Sequence, residues 1–223
     1  MAAQVVTVAQ QKGGAGKTTL ALHLGVCWAG QGHRVALLDI DPQGSLTDWF
    51  RLREQHGVKS AGRLDHRIAS GWRTSSEIDR LKAEHDVIII DSPPHAETEA
   101  KVAIRAAALL LIPVQLSPMD VMATGPTIKL AEGERTPWLL VLNRVPARGL
   151  LADTILAQIN QPGLLLAQTS LGNRTVFASS LMTGRGVTEA APHSQAADEV
   201  MSLAGEVWGR LAARRLAPAN AAV

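Results

Sequence analysis

Near the start of the chain, Gln10-Gln11-Lys12-Gly13-Gly14-Ala15-Gly16-Lys17-Thr18-Thr19 sets two lysines and two threonines among three glycines. This is the composition of a phosphate-binding loop. Glycines lack a Cβ, so the backbone at Gly13, Gly14 and Gly16 can curl and aim its N–H groups at phosphate oxygens. Lys17 can reach the β- and γ-phosphates of a nucleotide, and Thr18 can offer its hydroxyl to Mg²⁺. A helix beginning near Thr18 adds the positive end of its dipole. The common pattern G-x-x-x-x-G-K-[ST] fails at its first glycine, where this chain has Gln11. The variant K-G-G-x-G-K-[ST] fits in full and brings the second lysine, Lys12. A chance glycine-rich turn is the plain alternative. The β-rich run Val5–Ala9 before the loop and the helix-like stretch after it argue against that alternative.

A magnesium nucleotide site also needs carboxylates at the ends of neighbouring strands. Ile88-Ile89-Ile90-Asp91 is an apolar run ending in an acid, the form in which a Mg²⁺-holding aspartate usually appears. Val35-Ala36-Leu37-Leu38-Asp39-Ile40-Asp41 ends a second run with two aspartates. Alternation places Asp39 and Asp41 on the same side of an extended chain. One can help with the metal while the other positions a water. Aspartates at strand ends are also common turn residues; the nearby loop is what favours the catalytic reading.

The elements that would carry these groups follow a strand–helix rhythm. Strands are expected at 4–10, 34–39, 86–91, 108–114 and 137–142, with a weaker one near 163–167. Their continuous apolar runs suit a parallel sheet buried on both faces. Ser117-Pro118-Met119-Asp120 reads as a helix start, with a serine cap, a first-turn proline and an acid three residues on. A last long helix is expected from about 192 to 215, with Val200, Leu203, Val207 and Leu211 at helical spacing. Segment 57–75 carries no clear pattern. The reading is a single α/β domain over 1–216, a doubly wound, mostly parallel sheet flanked by helices, followed by a loose tail at 217–223.

Composition narrows the class. The chain has 223 residues, 46% hydrophobic and 19% charged, which fits one globular domain with an ample core. The start carries no signal-peptide pattern, and no apolar run is long enough to span a bilayer. Cys27 is the only cysteine, so no disulfide can form within the chain, and the nucleotide chemistry points to the cytoplasm. The net charge of +2 implies no nucleic-acid partner unless the charge is clustered. Arg210, Arg214 and Arg215 form one such cluster, with Glu206 as the acid nearby.

The Lys12–Thr19 loop, Asp39-Ile40-Asp41-Pro42-Gln43-Gly44 and Asp91-Ser92-Pro93-Pro94, in this order and spacing, resemble the ParA/MinD family of deviant Walker ATPases. So do Pro113-Val114-Gln115-Leu116-Ser117-Pro118-Met119-Asp120, Leu142-Asn143-Arg144 and Arg174-Thr175-Val176-Phe177, and the likeness runs to about residue 208. The resemblance implies a P-loop NTPase fold and a weak, Mg²⁺-dependent, partner-stimulated ATPase. It implies that Gly13, Gly14, Ala15 and Gly16 wrap the phosphates. Lys12 would reach the partner's phosphates in a nucleotide-sandwiched homodimer, and Lys17 would bind phosphate in its own subunit. Thr18 would hold Mg²⁺, Thr19 would lie near the α-phosphate, and Asp41 would orient the attacking water in the first switch. Asp91 would sit behind the metal, which Asp39 would share, and Ser92-Pro93-Pro94 would form the second switch. Asn143 would contact the adenine edge, although an asparagine at a strand end can instead cap a turn.

The family's branches make different demands. Nitrogenase-type iron proteins need cysteines for a bridging cluster, and the lone Cys27 excludes that branch. MinD-type proteins end in an amphipathic membrane helix. The C-terminal stretch here has some of that character, yet its apolar residues continue the register of the preceding helix. ParA-type proteins bind double-stranded DNA of any sequence through basic residues, for which Arg174, Arg185, Arg210, Arg214 and Arg215 are the candidates. A solvated charged face is the plain reading of each. The Asp-Pro-Gln-Gly stretch favours the ParA branch over MinD. With its first strand at the very start, the chain resembles the small ParA type, without a helix-turn-helix extension. Such a protein would act over the nucleoid with a ParB-like or cargo-adaptor partner, moving plasmid, chromosome or protein cargo. A biosynthetic ATP-dependent ligase of related fold is an outside reading that no second substrate motif supports.

Overall fold

The computed structural model describes residues 3–94, 97–146 and 163–216. Its elements in chain order are β1 (Gln4–Val8), α1 (Lys17–Gly30), β2 (Val35–Asp39), α2 (Ser45–Gln55), β3 (Leu64–Ile68) and α3 (Arg73–Glu84). They continue with β4 (Val87–Asp91), α4 (Glu97–Ala106), β5 (Leu109–Val114), α5 (Pro118–Met122), α6 (Gly125–Gly133) and β6 (Trp138–Leu142). Past the undescribed stretch come α7 (Thr175–Leu181), α8 (Val187–Ala190) and α9 (Gln195–Leu216). The expected tail at 217–223 lies outside the described residues.

The six strands form one parallel sheet in the order β3-β2-β4-β1-β5-β6. Side chains alternate across it. Val6, Val8, Leu37 and Ile89 pack with α1 and α9, whereas Val5, Leu38, Ile88 and Ile90 pack with α3 and α4. Helices α4 and α6 cover β5 and β6 on that second face. Both faces are therefore buried, and the central strands read as unbroken apolar runs. Helix α1 lies between the sheet and α9, and it is buried from Leu20 to Ala29 with no polar stripe. Gly25 allows its close seat on the sheet, because a Cβ there would stand 2.6 Å from Leu37 Cδ2.

Two expectations about strands need correction. No separate strand forms near 163–167: Leu166 makes only an isolated parallel bridge with Leu140. The Gln168 and Thr169 N–H groups turn to the Glu206 carboxylate of α9, both at 3.1 Å, which interrupts the pairing until Leu171 N–H meets Leu142 O at 2.9 Å. Conversely, β3 arises inside the unread segment 57–75. Its sequence, Leu-Asp-His-Arg-Ile, is polar because it is an edge strand covered by helix on one side only. Asp65 on it is tied to His85 Nε2 at 2.9 Å and to Arg63.

The C-terminal helix begins at Gln195, close to the expected start, and buries Val200, Leu203, Val207 and Leu211 against α1 and the sheet. A buried ion pair ties α2 to α8. Arg53 meets Glu189 at 2.7 Å and also donates to Gly184 O and Ser60 Oγ. Both terminal nitrogens of its guanidinium are hydrogen-bonded, the condition under which a buried charge is tolerated.

His23 in α1 is buried in the core. Its Nδ1 accepts the Val187 N–H at 3.1 Å, and its ring meets Phe177 edge-on at 5.2 Å. Burial pushes its pKa down to about 3, against a smaller upward pull from the Phe177 backbone. The native state therefore binds no proton at His23 between about pH 6.5 and 3, whereas the unfolded chain does. Its contribution to stability is complete above pH 6.5 and is lost as pH falls through that window. His23→Asn keeps an acceptor near Nδ1 but does not titrate. Between pH 7.5 and 5, wild type is expected to lose about 2 kcal/mol more than His23→Asn, measured by urea unfolding. Equal losses would refute the assignment.

Candidate functional site

The loop after β1 leaves the sheet at its centre and enters α1 through Gly16, whose φ of 94° only glycine adopts without strain. A Cβ at Gly16 would also lie 2.2 Å from Asn143 Nδ2. Neighbouring elements brace the loop by its carbonyls. Asn143 Nδ2 donates to Ala15 O at 2.9 Å, and Gln115 Nε2 donates to Gly14 O at 3.0 Å. With the carbonyls held outward, the loop's N–H groups are left for an anion. Thr127 on α6 adds a further brace, accepting from Gln11 N and donating to Gln10 Oε1.

The C-terminal ends of β1, β4 and β2 bring the sequence-predicted acids to this loop. Thr18 Oγ1 donates to Asp91 Oδ2 at 2.6 Å. The other oxygen, Asp91 Oδ1, is buried without a hydrogen-bond partner. Burial pushes the Asp91 carboxyl up to about 7. The Thr18 hydrogen bond opposes that rise, and the charge of Asp39 adds to it. Lys17 is buried and its pKa is lowered by that burial, with Asp91 and then Asp41 pulling it back up. The cleft is thus poorly balanced by its own groups. An orphaned carboxylate oxygen beside a threonine hydroxyl and a lysine, under a ring of backbone N–H groups, fits Mg²⁺ with nucleotide phosphates.

Asp39 and Asp41 diverge in role. Asp39 Oδ1 accepts the Asp41 N–H at 3.1 Å, and Oδ2 accepts both the N–H and the hydroxyl of Thr47, at 3.0 and 2.6 Å. The expected share of Asp39 in the metal competes with these donors, which use it to tie the β2–α2 loop together. Asp41 accepts the Gln43 N–H at 2.9 Å and borders the cleft beside Lys17 and Thr18. Asn143 lies just past the end of β6. Its amide spans Ala15 O and the Arg144 N–H, the latter at 3.0 Å, so it braces the backbone while also bordering a pocket.

The two loop lysines part company. Lys17 lies within the loop, whereas Lys12 points to the rim and pairs with Asp120 at 2.8 Å, its side chain 39% exposed. Ser117 caps α5 by accepting the Asp120 N–H at 3.1 Å, and its hydroxyl donates to Asp120 Oδ2. The serine cap was legible in the sequence; the lysine pairing, over a long sequence separation, was not.

A cavity of about 430 Å³ is lined by Gly13, Gly14, Gly16, Lys17, Thr18 and Asp41 among others. A second, of about 650 Å³, is lined by Asn143, Asn173, Thr175 and Phe177 among others. Both include Thr19, Arg144 and Leu181, so they adjoin. The candidate basic residues are spread. Arg174 is held by Glu199 at 2.6 Å and Arg210 by Glu206 at 3.1 Å. Arg214 donates to Ala108 O at 2.9 Å while remaining exposed, and Arg185 and Arg215 are exposed. Among the described residues, no helix is long and apolar enough to cross a membrane.

A glycine loop entering a helix at the centre of a parallel sheet, with a lysine, a threonine and a strand-end aspartate behind it, defines a P-loop nucleotide-binding protein. Residues 6–187 match the CobQ/CobB/MinD/ParA nucleotide binding domain, and the chain belongs to that family. It is 30% identical over 213 residues to maintenance of carboxysome distribution protein A of Halothiobacillus neapolitanus, covering 91% of this chain and 95% of that one. It is 26% identical over 238 residues to the chromosome-partitioning ATPase Soj of Thermus thermophilus, covering 92% and 96%. The fold matches the septum site-determining protein MinD of Pyrococcus horikoshii complexed with Mg-ADP. The TM-score there is 0.73 at 18% identity, over 92% of this chain and 96% of that one. By family the chain is a ParA/MinD-type ATPase, and its cleft fits ATP with Mg²⁺.

Proposed function

We propose that this protein is a positioning ATPase of the small ParA type. It binds Mg²⁺·ATP in the cleft, closes into a twofold dimer around two nucleotides, and in that state holds double-stranded DNA without regard to sequence. A ParB-like or cargo-adaptor protein stimulates hydrolysis and releases it, so the protein works in the cytoplasm over the nucleoid. The full-length similarity to proteins named for carboxysome distribution and chromosome partitioning supports the positioning role.

The observation that carries this reading is the divergence of the two loop lysines. Lys17 faces its own loop, whereas Lys12 is parked on Asp120 at the rim with its side chain partly exposed. On closure, Lys12 exchanges Asp120 for the partner's phosphates. Gly13, Gly14, Ala15 and Gly16 wrap the phosphate chain, Thr19 lies by the α-phosphate, and the larger pocket beside Asn143 receives the base. Thr18 and Asp91 hold Mg²⁺, with Asp39 behind them. The metal, when bound, draws charge from the phosphate oxygens. Asp41 orients the attacking water.

The DNA surface rests on the exposed Arg185, Arg214 and Arg215, whereas the charge of Arg174 is met by Glu199. Dimerisation doubles this surface, so modest contacts add up only in the ATP state. Gel shifts with ATP, ADP and no nucleotide are expected to show binding with ATP alone, weakening steeply as salt rises. Arg185→Glu and the double change of Arg214 and Arg215 to Glu should weaken binding equally on all sequences. Liposome sedimentation is the companion assay. Lipid binding without DNA binding would refute this reading and transfer the chain to the MinD type. The burial of Leu211 and the Arg214 bond to the core argue against that outcome.

A further inference from the structure

The Asp39 carboxylate is held by Thr47 of α2, and Thr47 in turn meets a residue of β3. A threonine hydroxyl has one hydrogen to donate. That of Thr47 goes to Asp39 Oδ2, the shorter and charge-assisted contact at 2.6 Å. Its oxygen also stands 3.1 Å from His66 Nε2 and must therefore accept there. The hydrogen of the neutral imidazole thus lies on Nε2. Burial lowers the His66 pKa, against upward pulls from Asp39 and Glu54, which keeps the ring in the neutral form. The ring also lies nearly flat on Phe50, with centroids 5.1 Å apart and 23° between planes. His66 belongs to the edge strand β3, in register with Leu37 of β2.

We propose that His66 is a positioning residue for the first switch. Its Nε2–H fixes the Thr47 hydroxyl, Thr47 fixes the Asp39 carboxylate, and Asp39 holds the Asp41 backbone N–H, which aims the Asp41 side chain into the cleft. The proposal rests on the reading of Asp41 as the water-orienting acid. Without the His66 donor, the Thr47 oxygen keeps its bond to Asp39 Oδ2 but loses the contact on its other side, so the hydroxyl and the carboxylate it meets are less firmly held. Loosening a group that orients a reactant lowers turnover without lowering affinity.

Two variants separate this role from simple ring packing. His66→Phe keeps a flat ring on Phe50 but has no N–H. His66→Gln discards the ring but can place an N–H near the Nε2 position. His66→Phe is expected to lower kcat by about five- to tenfold, the worth of one hydrogen bond, with KM for Mg²⁺·ATP unchanged. His66→Gln should retain near-normal kcat. Equal losses in both, or a better His66→Phe, would overturn the proposal. Hydrogen exchange of the nucleotide-free protein supplies a readout that does not depend on turnover. The Asp41 and Thr47 amides should exchange faster in His66→Phe than in wild type or His66→Gln, and unchanged exchange in His66→Phe would equally overturn it. Asp41→Ala is assayed alongside. Normal turnover in that variant would sink the water-orienting role itself, while amide exchange still judges the positioning by His66.

Discussion

Lys17→Ala is expected to remove Mg²⁺·ATP binding almost entirely. Lys17 is a buried cation at the base of the loop, and its burial is tolerated because Asp91 and Asp41 face it. Phosphates entering the cleft meet this amine and the loop's N–H groups with little water between them. Truncating one partner of a buried, charged hydrogen bond costs about 2–5 kcal/mol, a fall in affinity of about 30- to 5,000-fold. Calorimetry with Mg²⁺·ATP measures the loss directly. Thermal unfolding gives an independent check: wild type should gain stability from saturating nucleotide, whereas Lys17→Ala should not. Affinity within threefold of wild type would sink the assignment of this loop as the phosphate site.

Asp41→Ala is expected to do the reverse, keeping the nucleotide and stopping the reaction. The Asp41 N–H remains in the variant, so its bond to Asp39 Oδ1 survives and the loop keeps its main anchor. What disappears is the carboxylate beside Lys17 and Thr18. A positioned group that takes a proton or orients a water contributes about 10²- to 10⁴-fold. Single-turnover hydrolysis should therefore slow by at least about 100-fold, with ATP affinity little changed, and the ATP-bound dimer should accumulate. Light scattering with ATP would show that dimer persisting where wild type returns to monomer. Turnover at the normal rate would remove Asp41 from the mechanism. Together the two variants divide the cleft into a part that binds and a part that reacts.

The phosphate loop and the central strands were legible because their requirements are local. A glycine at positive φ, a lysine and a threonine at fixed offsets, and unbroken apolar runs such as Val87–Ile90 leave marks in a few consecutive residues. The same holds for the Ser117 cap and for the apolar register of α9. Strand β3 left no such mark, because an edge strand needs no apolar run, and the expected strand near 163–167 is reduced to a single bridge because the next donors, Gln168 and Thr169, turn to Glu206. Long-range pairings are the other class that sequence order conceals. Lys12 with Asp120, Arg53 with Glu189, and the chain from His66 through Thr47 to Asp39 each join residues from separate elements, and only the sheet order brings them together. The sequence by itself determined which chemistry the chain could perform, because phosphate and magnesium recognition depend on residue types at short spacing. The family resemblance gave Asp41 the water-orienting role, but the tertiary structure is what shows Asp41 bordering the cleft and Asp39 holding the loop. Alternation sets both on one side of a strand, and only the donors packed around them distinguish the two.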